Sequence, residues 1–471
     1  MTCSSGLAAD VTFNISYLGE SDPLSGSQVY GDVWAEGGFV YVGSDVNNGG
    51  MNIFSISNPA NPVFLTRYDG DQLEDVEVWD GIGYFGSDVS TTSGTGVDIV
   101  DLAIPFDPIR LSRVNGAIGG HNKVHTLSVN EGFLYTADNA TDVIKIFNVT
   151  DPENPQLAKS LDIGVPSGVA SHEVYARNDR LYIASKDNRF NDCCGWTHIY
   201  DVANPANPVL LKAFTSTALG LNPQARTHTA LPSDDGNTLI VTEERPNGNV
   251  YIFDISMIDQ PNDPDTPVLL STLNRTNVGI DAHSPHHPHL HGNLLFLTWY
   301  EAGLQVFNIV DPANPVHVGA FDTYVGTSNS YNGNWGVDLS LGLNTVLLSD
   351  RSRGLIVVDA SGVLAPGDYN QDLVVDIDDY LDWRDAFGTV ESGLHIGAFA
   401  DGNGNRIVDA ADYTIWRDHL GQTGPFGPGG GSLSGESTVP EPTTIFLAAV
   451  GIGLICSHSR ARTLSAFFTT P

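Results

Sequence analysis

Arg180-Leu181-Tyr182-Ile183, then His198-Ile199-Tyr200-Asp201-Val202, then Ala203-Asn204-Pro205-Ala206-Asn207-Pro208-Val209: these residues are one unit of a repeat that fills most of the chain. The first two runs are short and rich in β-branched and aromatic residues, with turn residues between them, which reads as consecutive strands. The third is a turn, because proline fixes φ while the preceding Asn caps the local backbone. The first run recurs as Phe39-Val40-Tyr41-Val42, Gly83-Tyr84-Phe85, Phe133-Leu134-Tyr135, Leu239-Ile240-Val241, Leu295-Phe296-Leu297 and Val346-Leu347-Leu348. Each copy is followed by a second run: Met51–Ile56, Val97–Leu102, Val143–Val149, Val250–Ile255, Leu304–Val310 and Leu355–Asp359. The proline turn returns at Asn58-Pro59, Asp151-Pro152 and Asp311-Pro312.

The unit occurs seven times at a spacing of roughly 44–59 residues, the length of a four-stranded propeller blade. The seventh unit stops at Asp359-Ala360 without its last strand, and Val11–Leu18 is a lone strand at the other end. Ring closure accounts for both: the N-terminal strand completes the last blade and hides two sheet edges. The fold expected for 11–362 is therefore an all-β, seven-bladed β-propeller closed by the N-terminal strand, with six or eight blades less economical. Val97-Asp98-Ile99-Val100-Asp101 and Leu355-Ile356-Val357-Val358-Asp359 resemble the LVIVD repeat. Ser171-His172-Glu173-Val174, Tyr300-Glu301-Ala302-Gly303-Leu304-Gln305-Val306 and Trp335-Gly336-Val337 are similar to stretches of the choice-of-anchor B family of bacterial surface propellers. The family's members vary in how they attach to the surface. The resemblance implies no molecular activity.

Counting back about ten residues from each aromatic strand reaches the start of the innermost strand of each blade. In units three to six this position holds His125, His172, His228 and His286; in the first two it falls near Asp32 and Asp75, and in the last near Trp335. Equivalent blade positions lie on a ring about the propeller axis, so four imidazoles are expected at one channel mouth. His283, His287, His289 and His291 crowd the same sector, and Glu173, Asp75 and Glu243 are oxygen donors within reach. Neutral imidazoles with carboxylates suit zinc, copper, iron or nickel, and a catalytic site of that kind keeps one position open. Inner-strand polar residues also bond one another and channel water. The candidate channel metal ligands are His125, His172, His228 and His286, with His121 and His289 in reserve.

After the repeats comes Gly367-Asp368-Tyr369-Asn370-Gln371-Asp372-Leu373-Val374-Val375-Asp376-Ile377-Asp378-Asp379. Asp368, Asn370, Asp372, Asp376 and Asp379 occupy positions 1, 3, 5, 9 and 12 of an EF-hand-type calcium loop, with the Val374 carbonyl at position 7. The pattern returns as Asp401, Asn403, Asn405, Ile407, Asp409 and Asp412. Each loop runs into a short amphipathic helix, expected over Tyr380–Phe387 and Tyr413–Leu420. Duplicated loops with Asp at position 12 and one following helix resemble a type I dockerin, in the Asp-Tyr-x-x-Trp-Arg-Asp form of planctomycete surface proteins. That resemblance implies a small all-α calcium-binding module over 366–422, two calcium ions and a cohesin-like partner domain. Leu373 and Arg406 stand at position 6, where glycine eases the turn, at roughly 1 kcal/mol each. Asn405 at position 5 removes one charge from the second loop. Positions 10 and 11, which carry cohesin contacts in the family, are Ile377-Asp378 and Ala410-Ala411 and depart from it.

A Gly/Pro/Ser-rich segment over 423–438 leads to Val439-Pro440-Glu441-Pro442, an apolar run Ile445–Cys456, and then Arg460 and Arg462. The run is about 12 residues, short of the roughly 20 that span a bilayer. The three-part order over 439–462 resembles a PEP-CTERM sorting signal and implies processing by an exosortase-type enzyme, with membrane contact only through this tail. Met1–Asp10 lacks the apolar core of an export signal, while Leu7-Ala8-Ala9-Asp10 reads as the remnant of one, so the start is expected upstream. The formal net charge of −35 repels nucleic acid and favours cations, and it keeps an exported protein soluble. Four cysteines in 471 residues do not make a disulfide scaffold; Cys193-Cys194 is the one close pair.

These features read together as an exported binding or scaffold protein at the cell surface, outer envelope or in an extracellular assembly. Its propeller would present an unknown ligand surface, held by the calcium-binding module and the tail. The alternative is a metal-dependent oxidoreductase or hydrolase using the histidine-lined channel. No Gly-x-Ser-x-Gly elbow is present, and no Ser-His-Asp set follows from spacing.

Overall fold

Strand-forming runs separated by proline turns pair with their neighbours in sequence, and the computed structural model has seven four-stranded antiparallel sheets built that way. It describes residues 12–24, 30–89, 95–187, 195–221, 226–259, 267–324, 330–390 and 399–424. The innermost strands of blades one to seven are Tyr30–Glu36, Leu73–Trp79, Thr126–Asn130, Val169–Arg177, Thr227–Pro232, Pro288–His291 and Asn334–Asp338. The outermost strands of blades one to six are Val63–Tyr68, Ile109–Val114, Gln156–Asp162, Val209–Thr215, Val268–Leu273 and Val316–Phe321. Burial falls from the axis outward: Asn334–Asp338 is buried throughout, whereas Val63 and Phe64 open their strand to solvent. Apolar side chains of adjacent blades meet in shared clusters, such as Ile146 and Leu161 with Val174 and Ile183.

The proline turns form as the Asx–Pro pairs require. Asn58, Asn204, Asp151 and Asp311 each accept the N–H two residues on through the side chain and the N–H three residues on through the carbonyl. The turns also join blades. Ser112 Oγ of blade two donates to the Pro152 carbonyl of blade three, and Ser271 Oγ of blade five to the Pro312 carbonyl of blade six, both at 2.6 Å.

Closure comes from the N-terminus. Ser16–Ser21 pairs antiparallel with Gly354–Asp359 and supplies the fourth strand of blade seven. The strand therefore begins later than the Val11–Leu18 expectation. Asn14 takes φ +57°, which breaks the extended chain, and Phe13 pairs with Ala320 of blade six. Gly19 faces the turn of blade one so closely that a Cβ there would lie 2.8 Å from the Ala60 backbone.

Among the described residues after the propeller, 365–390 and 399–424, are two helices, Ile377–Ala386 and Ala410–His419. Both start three residues before the expected Tyr380 and Tyr413, because Asp376 and Asp409 are N-caps closing capping boxes with Asp379 and Asp412. The two halves exchange bonds: Trp383 Nε1 donates to the Asp409 carbonyl at 2.8 Å, and Trp416 Nε1 to the Asp376 carbonyl at 2.6 Å. The unit sits against blade six. Gln371 Oε1 accepts the Asn293 N–H at 2.7 Å, Asn308 donates to the Gln371 carbonyl at 2.8 Å, and Leu373 joins the core of blades six and seven.

Candidate functional site: a histidine arc at the channel mouth

A bulge repeated in every blade builds the site. Two consecutive residues in each inner strand, or reaching just ahead of it in blades three and six, lie opposite one small residue of the second strand: Gly43, Gly86, Ala137, Ala184, Thr242, Thr298 or Ser349. A bulge turns its first residue out of the ladder and re-aims it. Around the ring the first bulge residue is Gly31, Glu74, His125, His172, His228, His286 and Trp335. The second is Asp32, Asp75, Thr126, Glu173, Thr229, His287 and Gly336. Two positions beyond the small residue stand Asp45, Asp88, Asn139, Lys186, Glu244, Tyr300 and Arg351, which form a third ring.

The four expected histidines come together. Ring centroids run 4.4 Å from His125 to His172, 4.2 Å to His228 and 4.5 Å to His286, with Trp335 a further 4.6 Å on. All four line one cavity, with Asp75 and Glu173 below them. The space that water centres can occupy is about 60 Å³, room for a few waters or an ion with a small ligand.

Each imidazole is oriented by an oxygen of its own or an adjacent blade. His172 Nδ1 donates to the His228 carbonyl at 3.2 Å, and His286 Nδ1 to the Trp335 carbonyl at 2.7 Å. His228 Nδ1 lies 2.8 Å from Thr229 Oγ1, whose own proton goes to Glu173 at 2.6 Å. The hydroxyl therefore accepts from His228. In all three rings the proton is on Nδ1 and the Nε2 lone pair is left for the channel. His125 differs. Its Nδ1 is 3.3 Å from Asp88 and 3.8 Å from Glu74, and its Nε2 is 2.8 Å from His172 Nε2. With the His172 lone pair facing it, His125 is the donor.

The charges follow from this arrangement. Burial opposes protonation of His125, yet Asp88 and Glu74 outweigh it and raise its pKa. Burial, Lys186 and the neighbouring imidazoles hold His172 and His228 far below the ordinary value, and burial takes His286 down to about 3. Burial also works against ionisation of Glu244, but Lys186 at 3.2 Å and the Tyr300 hydroxyl at 2.6 Å prevail and keep it a carboxylate. One layer down, His287 bonds Glu173 at 3.0 Å; burial is outweighed there by Glu173, Asp32 and Asp75, and the pKa rises to about 9.

Several expectations need correction. Asp32 and Asp75 are not the equivalents of the histidines but the next residues, one layer deeper; Gly31 and Glu74 hold the equivalent places, because the count was one residue off at the bulge. Glu243 does not add an oxygen to the arc. It bonds Asn249 and Tyr251, and the next residue, Glu244, approaches the arc, 3.7 Å from His228 Nε2. His121 bonds the Val143 carbonyl at 3.0 Å and stays outside the arc. His289 lines the deeper cavity, His283 packs on Tyr331, and His291 packs on Phe399. Glu244, Glu74 and Asp88 were missed. Counting forward from the second strand, as the histidines were found by counting back, would have found the two rim residues.

The loop pattern after the propeller is duplicated bond for bond. Asp368 accepts the N–H groups of Asp372 and Leu373, as Asp401 does those of Asn405 and Arg406. Asn370 accepts from Asp372 and Asn403 from Asn405; Asp372 accepts from Val374 and Asn405 from Ile407. Asp376 and Asp409 cap the helices. Asp379 takes the Asn370 and Asp376 N–H groups, and Asp412 those of Asn403 and Asp409. Position 6 is left-handed in both loops, Leu373 at φ +72° and Arg406 at φ +68°. Burial, Asp379 and Asp372 push Asp368 up to about 7. The sorting motif Val439, Pro440, Glu441 and Pro442, residues 1–10 and Cys193-Cys194 lie outside the described residues.

Residues 30–70, the whole of the first blade, match the LVIVD repeat. The ring is a β-propeller whose first blade matches the LVIVD repeat. No curated protein matches the chain. The WD40 β-propeller domain of Doa1 is 15% identical with a TM-score of 0.51, covering 74% of this chain and 97% of that one, which shows the fold alone. The β-propeller domain of Cps50 (Swd1) from Myceliophteria thermophila is 12% identical, with a TM-score of 0.48 over 71% of this chain and 97% of that one.

Proposed function

We propose that this chain is an exported binding or scaffold protein whose propeller is held at the cell surface by a calcium-dependent, dockerin-like module and a PEP-CTERM-type tail. The observation that carries this reading is the bond-for-bond duplication of the two Asp/Asn loops. Their Asp and Asn residues stand at the sequence positions an EF-hand-type calcium loop uses, and the first loop is seated on blade six. Asp368, Asn370, Asp372, Val374, Asp376 and Asp379 would hold one calcium ion. Asp401, Asn403, Asn405, Ile407, Asp409 and Asp412 would hold the second, more weakly for want of one carboxylate. A cohesin-like domain, an exosortase-type enzyme and a ligand on the propeller are the partners this reading implies. The second reading, a metal-dependent enzyme, is favoured by the convergence of His125, His172, His228 and His286 on one cavity.

Limited trypsin digestion of the full chain with calcium and with chelator, read by mass spectrometry, tests the calcium reading. Chelation is expected to open Arg384, Arg406 and Arg417 to cleavage while the propeller stays resistant. Equal resistance of those sites in both conditions would sink it.

A further inference from the structure

We infer that His172 Nε2, His228 Nε2 and a Glu244 carboxylate oxygen bind one divalent transition-metal ion at the channel mouth, with a fourth position open to water or a small oxygen-donor ligand. The inference does not depend on the calcium reading above. Its basis is a set of acceptors brought together, in which His172 Nε2 meets the proton of His125 and His228 Nε2 meets none. His228 spends its Nδ1 proton on Thr229, so its Nε2 is an acceptor, and that atom faces Glu244 Oε2 at 3.7 Å. Glu244 already takes the Tyr300 hydroxyl on Oε1 and the Lys186 ammonium on Oε2, the oxygen that also faces His228, and these two bonds fix its carboxylate. Among the described residues no donor meets Nε2 of His228 or His286. Two buried acceptors face to face repel each other unless a cation lies between them.

The geometry suits a metal ion. One ligand atom from each of His172, His228 and Glu244 lies within 4.8 Å of the other two. Zinc bonds of about 2.0–2.2 Å in a tetrahedron place ligand atoms roughly 3.3 Å apart, so side-chain adjustments of an ångström or so complete the site. The Nδ1 bonds supply the outer support that orients a metal-binding imidazole. Two imidazoles with a carboxylate suit zinc, copper or nickel rather than calcium. His172 would exchange the proton it shares with His125 for the metal, which leaves His125 as a hydrogen-bond donor beside the open position. His286, next in the arc at 4.5 Å from His228, is the neighbour able to enter as a fourth ligand.

A neighbouring group of similar composition does not qualify. Glu74, Asp88 and His125 also have ligand atoms within 4.8 Å, but His125 turns one ring N–H toward Asp88 and donates the other to His172, so neither of its nitrogens offers a lone pair.

The test is a Co²⁺ titration of the full chain, stripped of metal and then held in excess calcium so that the oxygen-only loops are filled. The expected result is one equivalent of Co²⁺ with strong visible absorption of a four-coordinate nitrogen and oxygen site. Affinity should fall at least ~100-fold in His228→Ala and about 10-fold in Thr229→Val, which touches no metal but frees the imidazole. The second variant keeps the test open should the first fail to fold. Only weak six-coordinate absorption, or unchanged titration in a folded His228→Ala, would overturn the inference.

Discussion

The histidine arc and the paired Asp/Asn loops are both convergent sets of donors, yet they are built by opposite means. The loops are local. Their donors lie within a dozen residues, and alternating side chains fold back on their own backbone N–H groups. The arc is assembled from four blades, and each imidazole is aimed by an oxygen of its own blade or an adjacent one. A local site is held by turn chemistry and must balance clustered carboxylate charge, as the elevation of Asp368 to about 7 shows. A distributed site is held by the whole ring and must keep buried imidazoles neutral, as His286 at about 3 shows.

Asp379→Ala strikes the local design hardest. Asp379 takes three backbone N–H groups, from Tyr369 at 2.7 Å, Asn370 at 3.0 Å and Asp376 at 2.7 Å. Leaving them without an acceptor should cost the module about 3 kcal/mol or more, seen as a separate low-temperature melt by calorimetry while the propeller transition stays put. A single unshifted transition would show that blade six, rather than the loop, holds the module.

The propeller should answer acid through its neutral histidines, and His198 isolates the effect. It is 2% exposed between Trp196 and Tyr200, and burial alone lowers it to about 4. Its folded pKa lies below the unfolded value of about 6.5, so the unfolded chain binds more protons in that window. The stability is complete above about 6.5 and is lost as pH falls toward about 4. In His198→Phe the loss from pH 7 to pH 5 should be smaller by about 2 kcal/mol, measured by denaturant unfolding at each pH. Buried carboxylates such as Glu77, raised to about 8, act in the opposite sense, but equally in both proteins. Parallel pH profiles would contradict the assignment.

The smallest effects separate the two loops from each other. Leu373 and Arg406 share a left-handed backbone, but Leu373 is buried in the core of blades six and seven while Arg406 is exposed. Leu373→Gly should destabilise the module by about 1 kcal/mol, since lost burial exceeds relieved strain. Arg406→Gly should stabilise it by about 0.5 kcal/mol. Thermal melts of the full chain give both signs, and a common sign would mean that blade six does not anchor the first loop.

What could be read from the chain alone follows from range. The seven blades, the Asx–Pro turns and the closing N-terminal strand were legible because strand alternation and turn chemistry act between near neighbours. The two repeated Asp/Asn loops and the helices that follow them were legible for the same reason. The four histidines could be placed because an approximate count suffices to bring equivalent positions to one mouth. Local residues determined which elements form and that imidazoles gather near the axis. Only the tertiary structure decided which atoms meet. A bulge shifts register by one residue, which exchanges Asp75 for Glu74, and the rim position two residues past the bulge brings in Glu244 where Glu243 was expected. Carbonyl and hydroxyl oxygens at the bulges likewise choose the proton-bearing nitrogen of each ring, a choice that depends on contacts across blades and so on the closed ring.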